Sequence, residues 1–203
     1  MIPVLETSAA LMGLAALAAY LLGSVPFGLV IARAFGLGDV RQIGSGNIGA
    51  TNVLRTGNRP AAFLTLLLDA GKGGLAVLLA RALLAEDAAQ IAGLAAFLGH
   101  CFPVFLGFKG GKGVATFLGT LLVLFWPAGI AACLTWAATA AISRISSLSA
   151  LVAAAMAPVW INLLGMPQAG LVTALLAALV FVRHDANIKR LMRGEEPRIG
   201  GKS

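Results

Sequence analysis

The sequence predicts an all-α, polytopic integral membrane bundle of seven transmembrane helices, and three observations carry that prediction. Hydrophobic residues make up 59% of the 203 and charged residues only 11%, with a mean hydropathy of +0.92, which lies outside the soluble range. The apolar residues come in long runs, at 8–34, 61–84, 88–108, 114–143, 148–164 and 168–182. Most are near the roughly 20 residues a helix needs to cross about 30 Å of hydrocarbon. The basic residues fall in the short segments between the runs, as they do in membrane proteins whose basic loops stay inside.

The run 8–34 has no basic residues ahead of it and is too long for the apolar part of a cleaved signal, so it reads as a retained span. The segment after it is flanked by Arg33, Arg41, Arg55 and Arg59 and belongs on the cytoplasmic side. Run 61–84 holds Asp69 and Lys72 three residues apart, on one helix face. Ionisable groups in lipid are costly, so the pair reads either as part of a site or pathway, or as an ion pair that holds the bundle together. The turn at Glu86 and Asp87 belongs outside, as does the N-terminus with Glu6, and the segment around Lys109 and Lys112 belongs inside.

Parity then decides how to read 114–143. As one span it would put Arg144 outside, and with it the tail that carries Arg183, Lys189, Arg190, Arg193, Arg198 and Lys202, against the charge bias. Two short helices broken near Trp126-Pro127 restore the balance, because proline removes a helix hydrogen bond and crowds the preceding turn. The expectation is therefore seven helices with the N-terminus out and the C-terminus in, a re-entrant pair or six spans being the rival. No internal repeat or linker divides the chain, so 1–203 reads as one domain.

The net charge of +7 does not form a stripe on a soluble surface, which argues against nucleic acid. Cys101, Cys133, His100 and His184 have no metal-ligand spacing, so neither a metal nor a disulfide is inferred.

Three polar segments can carry chemistry. The first runs Gly44-Ser45-Gly46-Asn47-Ile48-Gly49-Ala50-Thr51-Asn52, followed by Arg55. Its glycines fit a dinucleotide fingerprint, but that site needs a strand and a βαβ unit, and this segment joins two membrane helices. What survives is an anion site, with Gly allowing close approach and Ser45, Asn47, Thr51 and Arg55 supplying donors. The competing reading is a polar turn. The second segment, 99–116, carries Lys109-Gly110-Gly111-Lys112-Gly113 at the start of a helix. Leu106 and Gly113 break the nucleotide-binding loop pattern, yet amides, helix dipole and two lysines still suit a phosphate. Snorkelling interfacial lysines are the alternative, and His100 reads as a packed residue. The third segment begins Arg183-His184-Asp185-Ala186-Asn187, with His184 and Asn187 on one face. Either His184 acts on a substrate or this is a basic helix on anionic lipid.

Together these segments resemble the bacterial acyl-phosphate:glycerol-3-phosphate acyltransferases, the PlsY family. The matching stretches read GSGNIGATN with Arg55, GHxFPVFLGFKGGKGVAT and RHxxNIxRL, in order and with the family's spacing over nearly the whole chain. One departure lies in the tail, where Pro197 follows Glu196 and the family often has a basic residue. The resemblance implies acyl transfer from acyl phosphate to the 1-hydroxyl of glycerol 3-phosphate, giving 1-acyl-glycerol 3-phosphate and phosphate in phospholipid biosynthesis. It implies a multi-pass protein of the bacterial cytoplasmic membrane whose partners are acyl phosphate, glycerol 3-phosphate and membrane lipid, with no cofactor. Carried over residue by residue, it points to Ser45, Arg55, Lys112, His184 and Asn187. Asn47, Thr51, Lys109, Gly110 and Gly111 join them as phosphate-binding candidates on the anion-site reading. The donor is already a mixed anhydride and no Ser/His/Asp relay is visible, so Ser45 reads as a hydrogen-bond donor and not a nucleophile. His184 is either the base or, with Asn187, only a positioning group while a substrate phosphate takes the proton. The alternative class is a transporter of a phosphorylated metabolite, with Asp69 and Lys72 gating passage.

Overall fold

The computed structural model describes residues 2–200 as ten α-helices linked by short turns, with no strand among them. Lys202 lies outside the described residues. Helix α1, Ala9–Ser24, starts at Ser8, whose hydroxyl accepts from the Leu11 amide. It stops at Val25 because Pro26 has no amide to offer the next turn, and α2, Phe27–Ala34, resumes beyond it. The single helix expected over 8–34 is thus broken at Pro26, a breaker the apolar pattern conceals. Residues 35–58, with a 3-10 turn at Val40–Gln42 and α3 at Ala50–Leu54, close over a small cluster of Leu29, Val40, Ile48, Val53 and Ala61.

Helix α4, Arg59–Leu83, is capped by Asn58, whose Oδ1 accepts from Ala61 N at 3.0 Å, with Pro60 in the first turn where its missing amide costs nothing. Helix α5, Glu86–Cys101, leads through the loop 102–113 to α6, Val114–Leu124. A break at Phe125 separates α6 from α7, Trp126–Ser143, with Pro127 in the first turn of α7, so 114–143 divides where proline predicts it. Helices α8 (Ser146–Leu163), α9 (Gly170–Arg183) and α10 (Asp185–Met192) complete the chain.

Five stretches are each long and apolar enough to cross a membrane: α1 with α2, α4, α5 with its following turn, α7 and α8. Helices α9 and α10 form a sixth, bent by 63° at their junction. Helix α6, with 11 residues, is about 16 Å long and cannot cross alone. It starts deep instead. Thr116 Oγ1 donates to the Asp69 carbonyl at 2.8 Å, and Asp69 lies about 15 Å along α4 from its start. At the other end Arg81 donates to the Val123 and Leu124 carbonyls. The loop before α6 therefore dips into the bundle and brings Lys112 with it.

Small residues let these helices approach closely, the usual packing device where lipid removes the hydrophobic drive between helices. A Cβ on Gly119 would overlap the Ala70 backbone of α4, and one on Gly23 would overlap the Ala96 backbone of α5. Phe97, Phe117, Leu121, Ile161 and Leu176 fill the centre. Arg144 and Ser147, at the α7–α8 turn, bond to Ile199 and Glu196 of the tail, while Ser146 lies 3.5 Å from Thr51. That turn thus sits at the same end of the bundle as the first polar segment and the tail, the arrangement that two helices in 114–143 require.

Candidate active site

The three polar segments converge at that end. In the first, buried Asn52 is the organiser. Its Nδ2 donates to the Val40 and Asn47 carbonyls at 2.6 and 2.8 Å. Its Oδ1 accepts from Ser45 N, Ser45 Oγ and Arg55 Nη1 at 3.1, 3.3 and 3.2 Å. One amide thereby sets both candidate donors. Gly44 is needed twice over: its φ is +52°, and a Cβ there would overlap Asn52 Oδ1 and the Arg55 side chain. Asn47 turns its Oδ1 to the adjacent Ile48 amide, so it shapes the loop more than it faces a ligand. Asn52 lies within the motif yet was absent from the candidate residues, because its side chain points inward and only the tertiary path of the loop shows its role.

In the second segment Gly110 and Gly111 are not open to an anion as expected. The Gly111 amide donates to the His100 carbonyl at 3.1 Å, and both glycine carbonyls accept from Arg183 at 3.0 and 3.1 Å. Their bare faces lie on His100 and Pro103. The glycines serve close packing, which leaves Lys112 as the segment's anion-facing group. Lys109 is exposed near Val104, Phe105 and Phe108, and among the described residues no side-chain hydrogen bond or ion pair links it to the other candidates.

Lys112 Nζ donates to Asn187 Oδ1, and Asn187 Nδ2 to Glu196 Oε1. Glu196 also accepts from Ser147 Oγ and Arg190 Nε, each at 2.7 Å. Burial pushes the Glu196 carboxyl up, but these three donors outweigh it and hold the group below its usual range. Sequence reasoning missed Ser147 and Glu196 as partners because neither spacing nor residue type joins them to Asn187. Burial pushes the Lys112 ammonium down to about 8; Glu196 opposes the shift, while Arg190, Arg55 and Arg183 reinforce it. The first segment joins this network through Thr51, which lies 3.5 Å from Ser146, next to the Ser147 that bonds to Glu196.

His184 is 2% exposed at the α9–α10 bend. Its Nδ1 lies 2.7 Å from the Val180 carbonyl, which places the ring proton there and leaves the Nε2 lone pair free. The ring can therefore accept a hydrogen bond at Nε2. Among the described residues the Thr51 hydroxyl reaches only Ser146, at the rim.

An all-helical membrane bundle that gathers surplus cations, an imidazole with a free Nε2 and a carboxylate at one end is built to hold an anion at the edge of lipid. Comparison with known proteins makes this specific. Residues 13–194 match the family model described as glycerol-3-phosphate acyltransferase. The chain is 71% identical to the glycerol-3-phosphate acyltransferase of Jannaschia sp. over 98% of each chain, and 66% identical to that of Ruegeria sp. over 100% of each. The crystal structure of PlsY, an integral membrane glycerol 3-phosphate acyltransferase, in its glycerol 3-phosphate form, superposes with a TM-score of 0.88 at 38% identity, over 93% of this chain and 96% of that one. Its lysophosphatidic acid form gives 0.85 at 36% identity, over 93% and 95%. This chain belongs to the glycerol-3-phosphate acyltransferase (PlsY) family. It is an integral membrane acyltransferase, which sets the transporter alternative aside.

Proposed function

We propose that the protein transfers a fatty acyl group from acyl phosphate to the 1-hydroxyl of glycerol 3-phosphate, releasing 1-acyl-glycerol 3-phosphate and phosphate. The observation that carries this is the pair of cations from separate loops at one end of the bundle, Arg55 held by Asn52 and Lys112 held by Asn187, with His184 Nε2 left free to accept. Relatives named for glycerol 3-phosphate supply the acceptor. Two phosphate-bearing substrates need cationic donors on both groups, and a mixed anhydride needs no further activation.

The acceptor oxygen attacks the acyl carbonyl carbon, the bond from that carbon to the bridging oxygen breaks, and phosphate leaves with that oxygen and the electron pair. Arg55 and Lys112 offset the charge that grows on the leaving phosphate, the kind of preorganised electrostatics that dominates catalysis. His184 Nε2 accepts from the hydroxyl and aims it, with Asn187 beside it. A phosphate monoester titrates near about 6, so an oxygen of a substrate phosphate takes the proton while His184 orients the hydroxyl. Ser45 donates a hydrogen bond.

The basic end, with Arg55, Lys112, Arg183 and Arg190, faces the cytoplasm, and the end with Glu6, Glu86 and Asp87 faces out. The protein resides in the bacterial cytoplasmic membrane. Purified protein given acyl phosphate and glycerol 3-phosphate is expected to make lysophosphatidic acid, with acyl-CoA inert as donor. Product from acyl-CoA alone sinks the donor assignment. Labelled acyl phosphate without acceptor is expected to leave no acyl group on the protein; an adduct on Ser45 or either cysteine defeats direct transfer.

A further inference from the structure

Beneath the site lies a buried polar cluster that the reaction as derived does not use. Lys72 Nζ is 2.8 Å from Asp69 Oδ1 and donates at 2.9 Å to the Val25 carbonyl, which also accepts from Phe27 N at the Pro26 break. His100 Nδ1 lies 3.5 Å from the same Asp69 oxygen. The three side chains are at most 3% exposed, and His100 Nδ1 has no hydrogen-bond partner among the described residues. The opposite edge of the His100 ring meets the phosphate-binding segment: a Cβ on Gly111 would overlap Nε2. The turn is pinned on its other side, where the Gly111 amide bonds to the His100 carbonyl and Arg183 holds the carbonyls of Gly110 and Gly111. Lys112 follows immediately.

We infer that His100, backed by the Asp69–Lys72 pair, is a positioning residue that sets the height of the Gly110-Gly111 turn and so the place of Lys112. The ring acts as a spacer between Asp69 and the turn. With the ring gone the turn has a void beneath it, and with a methyl at 111 the turn is pushed off the ring. Either way Lys112 moves, and a misplacement of about 1 Å at a reacting centre costs on the order of 10²-fold in rate. Buried charges of this kind lose much stability when one partner is removed, so the Asp69–Lys72 pair keeps the spacer's base rigid. The inference rests on Lys112 binding a substrate phosphate.

The two defects are opposite in sense, and that makes them testable together. His100→Ala and Gly111→Ala are each expected to raise KM for glycerol 3-phosphate or acyl phosphate and to lower kcat/KM by about 10-fold or more, on the misplacement scale above. The double variant is expected to recover a large part of that loss, because the new methyl occupies the space the ring vacated. A role in folding alone would lower the active fraction, read as kcat with KM unchanged, and the two losses would multiply. Multiplying losses, or a His100→Ala enzyme with normal kcat/KM, overturns the inference. If His100→Ala does not yield monodisperse protein in detergent, His100→Gln takes its place in the cycle, since a flexible Gln can yield to the methyl. Lys112→Ala is measured alongside. If it is harmful and the cycle is additive, only this inference falls; if it is silent, the phosphate reading of Lys112 falls and this inference with it.

Discussion

The two ends of the bundle use charge in opposite ways. At the end that carries Asp87, that carboxylate accepts from Glu6 N, Thr7 N, Thr7 Oγ1 and Ala88 N. Arg81 spends its guanidinium on Glu86 and the last two carbonyls of α6. Asp87, Glu86 and Arg81 are thus matched by the chain itself. At the other end Arg55, with five N–H groups, gives one to Asn52, and Lys112, with three, gives one to Asn187. Saturated charge is architecture, fastening an N-terminal segment and the end of a short helix. Charge with donors to spare is what a phosphate can use, and the contrast separates the site from the scaffold without reference to any ligand.

The comparison breaks most visibly if the spare cations are removed. Arg55→Ala and Lys112→Ala are each expected to cost roughly 10²–10³ in kcat/KM, the scale for losing one preorganised donor, with little change in the thermal midpoint in detergent. Equal losses in kcat and kcat/KM would assign the cation to transition-state charge, and a rise in KM alone to ground-state binding. Wild-type kinetics for both would dissolve the distinction between the ends.

The next effect is a pH dependence. Burial holds Lys112 near 8, below its ordinary 10.5, so its useful charge is complete below pH 8 and lost as pH rises through that value. The log of kcat/KM is expected to bend downward there toward a slope of about −1, since this parameter reports the free enzyme. Lys112→Arg, always cationic, should have a lower plateau and no bend up to pH 10; a bend that persists would move the titration elsewhere.

Smaller still is the effect at the saturated end. Arg81→Ala orphans two carbonyls and Glu86 and is expected to destabilise by roughly 1–3 kcal/mol while KM stays normal. A KM change with intact stability would mean that this end also touches substrate. Least of all, Lys109→Ala should alter kcat/KM by under about twofold, as an isolated surface charge does. A tenfold loss would restore Lys109 to the site.

Much of this was legible in the residues. The break in 114–143 followed from charge parity plus Pro127, and the structure puts it at Phe125. Asp69 and Lys72, three apart in an apolar run, read as either part of a site or a structural ion pair, and the structure sets them 2.8 Å apart. Ser45, Arg55, Lys112, His184 and Asn187 come to one end of the bundle. Asn47, Thr51 and Lys109 fit the pattern by residue type alone, and the structure shows them shaping the loop, at the rim, or apart. The break at Pro26 was hidden because the apolar run continues through it and hydropathy does not register a missing amide.

What the sequence determined by itself was the solvent, the helices and the chemistry available, because hydropathy, helix period and side-chain donors are properties of each residue and its near neighbours. Tertiary structure decided which donors stay unspent. Glycines that look like an anion cradle became a close contact with His100 once Arg183 and the His100 carbonyl had claimed their polar groups. Glu196 came to accept from both Asn187 and Ser147, the latter 49 residues away in the chain, through packing alone. Sequence displays every donor, but occupancy is settled only when distant segments meet, since a hydrogen bond depends on a distance of about 3 Å that chain order does not encode.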